Sequence, residues 1–187
     1  MKKLITNVAV AAVTAGAAAS SVAAGEAAPA LPQLQYEAET PVTPQLLKLM
    51  NAYIFLLAQN KLDDWIKIWA DDAVLEFPYS PKGRQSVYVG KPAILEYHKQ
   101  TTGKIKITRI VSARIHQLAD PNTAISELEI EGSIIGTNAQ YDQKYVTFFQ
   151  MKDGKLWRYR EYWNPLITIA AFGGDIKAWT EAYGKKE

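Results

Sequence analysis

The chain contains no cysteine, and only two of its 187 residues are histidine. The absence of cysteine excludes disulfides, thiol nucleophiles and cysteine-ligated zinc. It also excludes a lipid anchor attached through cysteine. His98 and His116 are widely separated along the chain and give little support to a metal site. We therefore expect no metal and no other cofactor.

A long hydrophobic run is also lacking. Lys2 and Lys3 precede an apolar, alanine-rich stretch over residues 4–19, and small residues follow it as far as Ala24. This order is typical of a secretory signal peptide, so we expect residues 1–24 to be removed. A membrane anchor is the less favoured alternative, because the stretch is short for the ~30 Å of a hydrocarbon core. The sequence thus predicts a periplasmic or secreted protein that is not held in the membrane.

Without residues 1–24 the chain has no excess charge of either sign. Two lysines are lost with that segment, which leaves 19 basic and 19 acidic side chains. Nucleic-acid binding needs a concentrated basic face, and we expect no nucleic-acid partner.

Residues 25–42 are rich in alanine, proline and glutamate and have neither a helical nor a strand period. This composition predicts a flexible arm ahead of one folded domain, residues 43–187. Thr43 followed by Pro44 predicts the start of a first helix. Its buried face would carry Leu46, Met50, Tyr53 and Leu57.

Two further helices and one strand are predicted before residue 105. Asn60 is expected to cap a second helix, with a buried stripe of Leu62, Ile66 and Trp69. A strand over 73–79 and a polar loop over 80–90 follow. The third helix is predicted over 91–100.

Beyond residue 105 the hydrophobic period changes to two, which predicts consecutive antiparallel strands. The predicted strands lie at about 107–118, 123–135, 140–151 and 155–164. Turn residues separate them, including the hairpin signal Asp153-Gly154. Gly173-Gly174 predicts a last turn before an amphipathic tail over 175–183. Helices followed by strands indicate an α+β domain.

The order of elements over residues 53–78 resembles the opening of the nuclear-transport-factor-2-like superfamily, which includes ketosteroid isomerases and SnoaL-like polyketide cyclases. Phe-Pro-Tyr-Ser-Pro at 77–81 and Arg-Glu-Tyr-Trp-Asn-Pro-Leu at 160–166 resemble SnoaL-like and PhzA/PhzB-like members. The resemblance implies a cone-shaped α+β barrel, with three N-terminal helices packed on a strongly curved, mostly antiparallel sheet that encloses an apolar pocket. It also implies a small hydrophobic ligand and a homodimer.

Comparison with the ketosteroid isomerases implies roles for three positions. Tyr53 matches the tyrosine that donates a hydrogen bond to the substrate oxygen. The general base falls on Phe77, and the second oxygen donor falls at or beside Thr147. Phenylalanine has no proton to exchange and threonine is not an acid, so the usual isomerase mechanism is not expected. The group that moves a proton must therefore lie elsewhere.

The strand predicted over 155–164 contains the best candidate for that group. Alternation places Trp157, Tyr159, Glu161 and Trp163 on one face of the strand. The other face carries Arg158, Arg160 and Tyr162. The resemblance puts Tyr159, Glu161 and Trp163 toward the pocket. There, burial among aromatic rings would raise the pKa of Glu161 toward acid–base use. Two alternatives stay open: pairing of Glu161 with an arginine, or a one-residue slip that moves it outside.

His98 is a second candidate proton carrier, because a histidine titrates near neutral pH and the third helix places it beside Tyr97. A half-exposed helix histidine is the alternative, since Lys99 follows directly. His116 is interpreted as structural. Tyr53 is expected to be either a pocket hydroxyl or a core tyrosine.

Seven residues are expected to line the pocket: Phe77, Tyr79, Tyr97, Tyr145, Thr147, Tyr159 and Trp163. Tyr141, Gln143 and Tyr145 alternate with charged residues and predict a polar-aromatic wall. Glu127, Glu129 and Glu131 share one strand face, which suggests either a metal or acid site or a solvated or dimer-facing surface. The second interpretation is favoured, with pairing to Arg158 and Arg160 across strands.

These residues lead to three hypotheses. The first is an exported, cofactor-independent isomerase, dehydratase or cyclase, in which Glu161 or His98 moves a proton while Tyr53 and Tyr145 donate hydrogen bonds. The second is a protein that binds a lipophilic ligand without turnover. The third is a dimerisation module whose outer sheet face, with Arg160 and Tyr162, is the interface.

Overall fold

The computed structural model describes residues 36–38 and 41–176. The expected signal peptide, most of the arm and residues 177–187 of the tail lie outside these ranges. Within them, four helices and seven strands follow one another. None of the helices described is long and apolar enough to cross a membrane.

The first helix, α1 (Pro44–Ala58), begins after Thr43 as predicted, with proline at its first position. Its buried side chains include Leu46, Met50 and Tyr53. Each apolar side chain of this size contributes roughly 1.5–3 kcal/mol on burial. The helix ends before Asn60, whose φ of 55° lies in the left-handed region and cannot continue an α-helix.

The second helix, α2 (Leu62–Trp65), is only four residues long and passes into a 3-10 turn over Ile66–Ile68. The prediction that Asn60 caps it is wrong, because Lys61 precedes the helix and the Asn60 side chain bonds the carbonyl of Gly103 at 3.2 Å. The predicted stripe is partly wrong, since Trp69 already belongs to a strand. The fully buried tryptophan of α2 is Trp65, four residues before Trp69.

The third helix, α3 (Lys91–Gln100), has the predicted bounds. Asn164 caps a fourth helix, α4 (Pro165–Ala171), by accepting a hydrogen bond from the backbone N–H of Leu166 at 3.0 Å. The sequence analysis did not predict α4. An asparagine followed by proline is a helix-start signal and could have revealed it.

The strands are β1 (Tyr36–Ala38), β2 (Trp69–Glu76), β3 (Val87–Val89), β4 (Ile105–Gln117), β5 (Thr123–Ile134), β6 (Gln143–Lys152) and β7 (Lys155–Trp163). They form one sheet in the order β1-β4-β5-β6-β7-β2-β3. The pairs β1–β4 and β2–β7 are parallel, and the others are antiparallel. The predicted α+β class and the mostly antiparallel sheet are confirmed.

Two short strands were not predicted. β1 lies within the expected arm and pairs with residues 113–115 of β4. β3 lies within the expected loop and pairs with the end of β2. Three-residue strands are too short to give a readable period.

Register shifts curve the sheet at several points, as bulges do. The one in β7 changes the predicted face of a residue. Gln150 pairs with Arg158, but Met151 pairs with Leu156, so Trp157 is the additional residue. Leu156 is buried, whereas Trp157 donates from its ring N–H to Asp72 at 3.2 Å and contacts the Arg158 guanidinium. The prediction that Trp157 shares the face of Tyr159 is therefore wrong.

The hairpin between β6 and β7 turns at Asp153 and Gly154, as predicted. Their φ angles are 51° and 73°, and Lys152 pairs with Lys155 across the two-residue loop. Positive φ at both central residues matches the twist of the strands, and glycine adopts it without strain. The main core lies between the concave face of the sheet and the three N-terminal helices.

Candidate functional site

A row of polar side chains crosses the concave face of the sheet. Ser126 of β5 pairs with Thr147 of β6, and Thr147 pairs with Glu161 of β7. Residues paired directly across strands project from the same side of a sheet. Ser126 and Thr147 are both buried there, and their hydroxyl oxygens are 2.5 Å apart. Glu161 thus lies on the concave face.

The Glu161 carboxyl accepts a hydrogen bond from the Tyr159 hydroxyl at 3.2 Å. Burial raises the pKa of Glu161 to about 7, and the hydrogen bond from Tyr159 opposes this rise. The side chain is half-buried, so it keeps some contact with solvent. A carboxyl with this pKa is present in both protonated and ionised forms at neutral pH.

Five tyrosines lie close enough to Glu161 for its negative charge to raise their pKa values: Tyr53, Tyr97, Tyr141, Tyr145 and Tyr159. We call these five residues the tyrosine cluster. Burial is the larger cause of the raised pKa in every one of them. All five hydroxyls therefore keep their protons at neutral pH and can donate hydrogen bonds.

The base of the cluster is formed by helix α1 and strand β7. Tyr53 is buried and stacks on Tyr159, with ring centroids 4.7 Å apart and planes inclined by 24°. Trp65 and Trp69 also contact the Tyr53 ring, with centroids at 5.4 and 6.2 Å. Tyr53 is therefore a core tyrosine by its ring, while its hydroxyl belongs to the polar cluster.

A second group of hydroxyls lies under helix α4. Tyr141 and Tyr145 share a hydrogen bond of 3.0 Å, and Tyr141 also contacts the Thr168 hydroxyl at 3.4 Å. The buried Gln143 side chain holds the start of α4, because it bonds both the N–H and the carbonyl of Asn164, at 3.2 and 2.9 Å. The predicted wall of Tyr141, Gln143 and Tyr145 thus connects the cluster to the last helix.

Two predicted pocket residues border the cluster. Phe77 is buried, and its ring centroid is 4.8 Å from that of Tyr97. Trp163 is half-buried and pairs with Tyr145 across β6 and β7. Tyr88 of β3 also contacts Tyr97, at 4.5 Å, and was missed because its strand was predicted as loop.

His98 lies in a different environment. It is buried, its ring packs on Trp65 at 4.3 Å, and its Nδ1 is 2.9 Å from the Thr102 hydroxyl. Burial alone lowers its pKa to about 3. The imidazole is therefore neutral at pH 7, and this placement does not suit a proton carrier. The alternative of a half-exposed helix histidine is wrong, because the side chain is only 4% exposed.

Tyr79 is placed outside the cluster. Its side chain is 60% exposed, and its ring contacts Tyr162 at 5.2 Å. Tyr162 alternates with Glu161 and points to the convex side, where it also contacts Phe148. Tyr79 thus belongs to the outer face of the sheet.

The three glutamates of β5 lie on that outer face, but their predicted arginine partners are wrong. Glu131 forms an ion pair with Arg109, Glu127 with Arg114, and Glu129 with Lys144. Arg160 instead pairs with Glu76 at 2.9 Å. The reason is the strand order, since β6 separates β5 from the arginines of β7. Within the described residues, no group of three or more acidic or histidine side chains could hold a metal ion.

Two cavities lie away from Glu161. One, of about 660 Å³, is bordered by Thr43 and the β6–β7 hairpin, and the other, of about 370 Å³, lies between β5, β6 and Ile167. Neither is lined by Glu161 or by a member of the tyrosine cluster. Within the cluster Tyr97 and Tyr145 are half-buried, as is the neighbouring Trp163.

Comparison with known proteins identifies the class. Residues 50–159 match the SnoaL-like domain family, and the chain belongs to that family. It is similar to the uncharacterized protein YesE of Bacillus subtilis, with 35% identity over 136 residues that cover 73% of this chain and 92% of YesE. An uncharacterized PhzA/B-like protein of Pseudomonas aeruginosa is 29% identical over 119 residues, which cover 64% of this chain and 84% of that protein.

A solved structure has the same fold. A Bacillus subtilis protein described as a candidate isomerase superimposes with a TM-score of 0.66 and 33% identity, covering 70% of this chain and 94% of that one. The resemblance deduced from residues 53–78, 77–81 and 160–166 is therefore confirmed.

Proposed function

We propose that this chain binds a small hydrophobic molecule beside Glu161 and transforms it by proton transfer without a cofactor, as an isomerase, dehydratase or cyclase. The observation that carries the proposal is a half-buried carboxyl whose pKa is raised to about 7 among protonated tyrosine hydroxyls. An acid–base group is most effective when its pKa lies near the working pH.

The chemistry follows from the two kinds of polar group. Ionised Glu161 takes a proton from a carbon next to a carbonyl group of the substrate. Tyr53 or Tyr145 donates a hydrogen bond to the oxygen on which negative charge develops. Protonated Glu161 then returns the proton to another carbon in an isomerisation, or to a departing hydroxyl in a dehydration. In a cyclisation, the carbanion attacks a second carbonyl, and Glu161 protonates the alkoxide that forms.

This assignment supplies the base that the ketosteroid-isomerase comparison lacks. Phe77 occupies the position of the usual base and contributes only an aromatic surface. Glu161 lies on strand β7, on the concave side of the sheet. Tyr97, Tyr145 and Trp163 are the half-buried residues that would contact the ligand, with Tyr159 and Thr147 beneath them.

The test begins with the ligand that the protein carries. The full chain is purified from its own host and examined by native mass spectrometry, and any bound molecule is released and identified. That molecule and its close analogues are then incubated with the protein in D₂O. We expect exchange or conversion by the wild type and a loss of about 100-fold or more in Glu161→Gln.

Glu127→Gln is the matched control, because it makes the same change at an exposed glutamate of the outer face. Equal activity in Glu161→Gln and the wild type would refute the assignment. A ligand that binds near Glu161 and undergoes neither exchange nor conversion would favour the alternative function, a lipophilic-ligand-binding protein.

A second proposal concerns assembly, and one observation favours it. The outer face of the sheet exposes apolar side chains around Tyr162: Phe148 is 39% exposed, Val146 is 40% exposed and Tyr79 is 60% exposed. Tyr162 lies between Tyr79 and Phe148. We propose that this part of the outer face pairs with the same part of a second copy, because a two-fold axis would bring the two exposed apolar patches together and bury them.

Sedimentation velocity tests this assembly. We expect a dimer for the wild type and a monomer for Phe148→Glu, which places a charge in the apolar face. Phe55→Glu is the matched control, since Phe55 is an exposed phenylalanine on helix α1. A monomeric wild type would refute the proposal.

We also propose that the protein is exported. The proposal rests on the two lysines and the apolar stretch within residues 1–24. Fractionation of the host followed by N-terminal sequencing is the test. A mature protein that begins near Gly25 outside the cytoplasm would support export, and a full-length cytoplasmic protein would refute it.

A further inference from the structure

A second row of side chains crosses the concave face beside the polar row that contains Glu161. Leu128 of β5 pairs with Tyr145 of β6, and Tyr145 pairs with Trp163 of β7. Residues paired directly across strands project from the same side of a sheet. Trp163 lies two residues beyond Glu161 on β7, so both are on the concave side. We call Leu128, Tyr145 and Trp163 the Leu128 row.

The Leu128 row is more accessible than the polar row beside it. Its three side chains are half-buried, whereas Ser126 and Thr147 of the polar row are buried. The strands β5 and β6 lie inside the sheet, with a neighbouring strand on each side. Because Leu128 and Tyr145 project from the concave face of these strands, the exposed part of each faces the concave space. The row is therefore a surface that a ligand can cover.

This surface continues to the place where two groups of buried side chains meet. One is the main core, and a second, smaller group includes part of α4: Ile130, Ile134, Tyr141 and Ala171. Leu128 and Ile110 are partly buried and pack against both groups. Ile110 of β4 pairs with Ile130, which lies two residues beyond Leu128 on β5, so Ile110 is also on the concave side. The accessible surface thus extends from Glu161 on β7 to Ile110 on β4.

The length and the charge of this surface limit what can lie on it. Three strand spacings of about 4.8 Å separate β7 from β4, which makes roughly 14 Å along the sheet. Ile110 and Leu128 are uncharged at the far end. The charged neighbours of Leu128 along its strand, Glu127 and Glu129, are on the outer face and pair with basic residues there. The surface suits an elongated, uncharged molecule.

We propose that the substrate is a carbonyl compound with an elongated, uncharged body that lies along the Leu128 row, with its carbonyl end at Glu161 and its far end at Ile110. Leu128 and Ile110 are then the residues that limit its length. This inference rests on the proposed function, which places the reacting carbon beside Glu161. It adds the class of substrate and the direction in which the substrate lies.

A series of methyl ketones, from 2-butanone to 2-tridecanone, tests the length limit. They share a carbonyl group near one end and differ only in the alkyl chain. Binding to the full chain is followed by ¹H–¹³C NMR of methyl groups, with the signals of Leu128 and Ile110 identified by their loss in Leu128→Phe and Ile110→Phe. We expect the affinity to increase about three- to fourfold for each added methylene and to level off once the chain reaches Ile110.

The two phenylalanine variants place a larger side chain at the far end of the row. Each should make the affinity level off at a shorter chain. The affinity for 2-undecanone should fall about 10-fold, while that for 2-butanone should stay within about twofold. Ile110→Phe also serves if Leu128→Phe does not fold. Leu118→Phe makes the same kind of change at an exposed leucine after β4 and should leave the whole series unchanged.

Two measurements test the orientation and the requirement for an uncharged body. The terminal methyl group of bound 2-undecanone should show nuclear Overhauser contacts to Leu128 and Ile110, and the acetyl methyl group should show none. The related 10-oxoundecanoate carries a carboxylate at the far end. It should bind about 10-fold or more weakly than 2-undecanone, because that charge would lose its hydration against Leu128 and Ile110 without gaining a partner.

Several results would overturn the inference. They are a failure of all the ketones to bind, a chain-length dependence that is the same in the wild type and both phenylalanine variants, contacts between Leu128 and the acetyl methyl group, and equal affinities for 2-undecanone and 10-oxoundecanoate.

The substrate class and the proposed function can fail separately. If the ketones bind along the Leu128 row but Glu161→Gln leaves turnover unchanged, the binding surface stands and the catalytic assignment falls. If Glu161→Gln abolishes turnover but the chain-length dependence is the same in every variant, the catalytic assignment stands and the proposed surface falls.

Discussion

Tyr53 of the first helix and Tyr159 of the last strand lie face to face, with their ring centroids 4.7 Å apart. This stack joins helix α1 to strand β7, and the Tyr159 hydroxyl donates to Glu161. Rings in such an arrangement gain about 0.5–1.5 kcal/mol beyond the burial of their area. The base of the site is therefore also a support of the fold.

Substitutions at Tyr53 should distinguish the contribution of its ring to stability from that of its hydroxyl. Tyr53→Phe keeps the stack and should lower the free energy of unfolding by about 1 kcal/mol. Tyr53→Ala removes the ring and should cost about 3–5 kcal/mol. Urea unfolding measures both. Phe55→Ala, at an exposed ring of the same helix, is the control and should cost much less. Equal costs for Tyr53→Ala and Phe55→Ala would contradict the role of the stack.

Glu161 should make stability depend on pH. Its folded-state pKa of about 7 lies above the ordinary value of 4.5, so the folded protein binds the proton more tightly. The contribution is complete below pH 4.5 and is lost as the pH rises through 7. Glu161→Gln lacks this pH-dependent contribution to the free energy of unfolding. Its stability relative to the wild type should therefore increase by about 2–3 kcal/mol as the pH rises from 4.5 to above 7.

Urea unfolding at pH 4.5, 5.5, 6.5 and 7.5 measures that relative stability. Glu127→Gln controls for the loss of a carboxylate on the exposed face. A constant difference between Glu161→Gln and the wild type across the four pH values would show that the carboxyl is not destabilised by burial.

His98 should depend on pH in the opposite sense. Its folded-state pKa of about 3 lies below the ordinary 6.5, because burial disfavours the charged ring. The contribution is present above pH 6.5 and is lost as the pH falls toward 3. We expect the His98 ring to remain neutral down to pH 4 in ¹⁵N NMR spectra, with His116→Asn used for assignment. Titration of His98 near pH 6.5 would contradict this expectation.

Gln143 should hold helix α4 in place. Gln143→Ala leaves the N–H and the carbonyl of Asn164 without their side-chain partner, at a cost of about 2–4 kcal/mol. We expect faster amide hydrogen exchange in the peptide 165–171, measured by mass spectrometry. Gln140→Ala changes an exposed glutamine nearby and is the control. Unchanged hydrogen exchange in α4 would mean that the Gln143 side chain does not hold this helix in place.

Much of the fold follows from local sequence signals. Helix α3 and strands β4 to β7 were predicted within three residues of their bounds, because long periodic segments carry many independent signals. The bulge at Trp157 could not be predicted. Its position is set by simultaneous pairing of β7 with β6 and β2, which is a tertiary property.

The candidate site was likewise predictable only in part. Alternation placed Glu161 and Tyr159 together correctly, since no bulge lies between them. The contact between Ser126 and Thr147 could not be predicted, because a lone serine in a strand has many possible partners. His98 and Tyr79 were assigned by position along their elements, and burial of one and exposure of the other became visible only in the packed structure.

The two strands at the edges of the sheet, β1 and β3, are each only three residues long. Of the two, β1 comes from the arm and lies along β4, a strand of thirteen residues. A long strand with free hydrogen-bonding groups is a template on which other chains can add strands. Cleavage after Ala24 would leave β1 in the mature protein. Trimming beyond Ala38 would uncover residues 113–115 of β4 and lengthen its free edge, so the site of proteolytic processing would change how readily the protein aggregates.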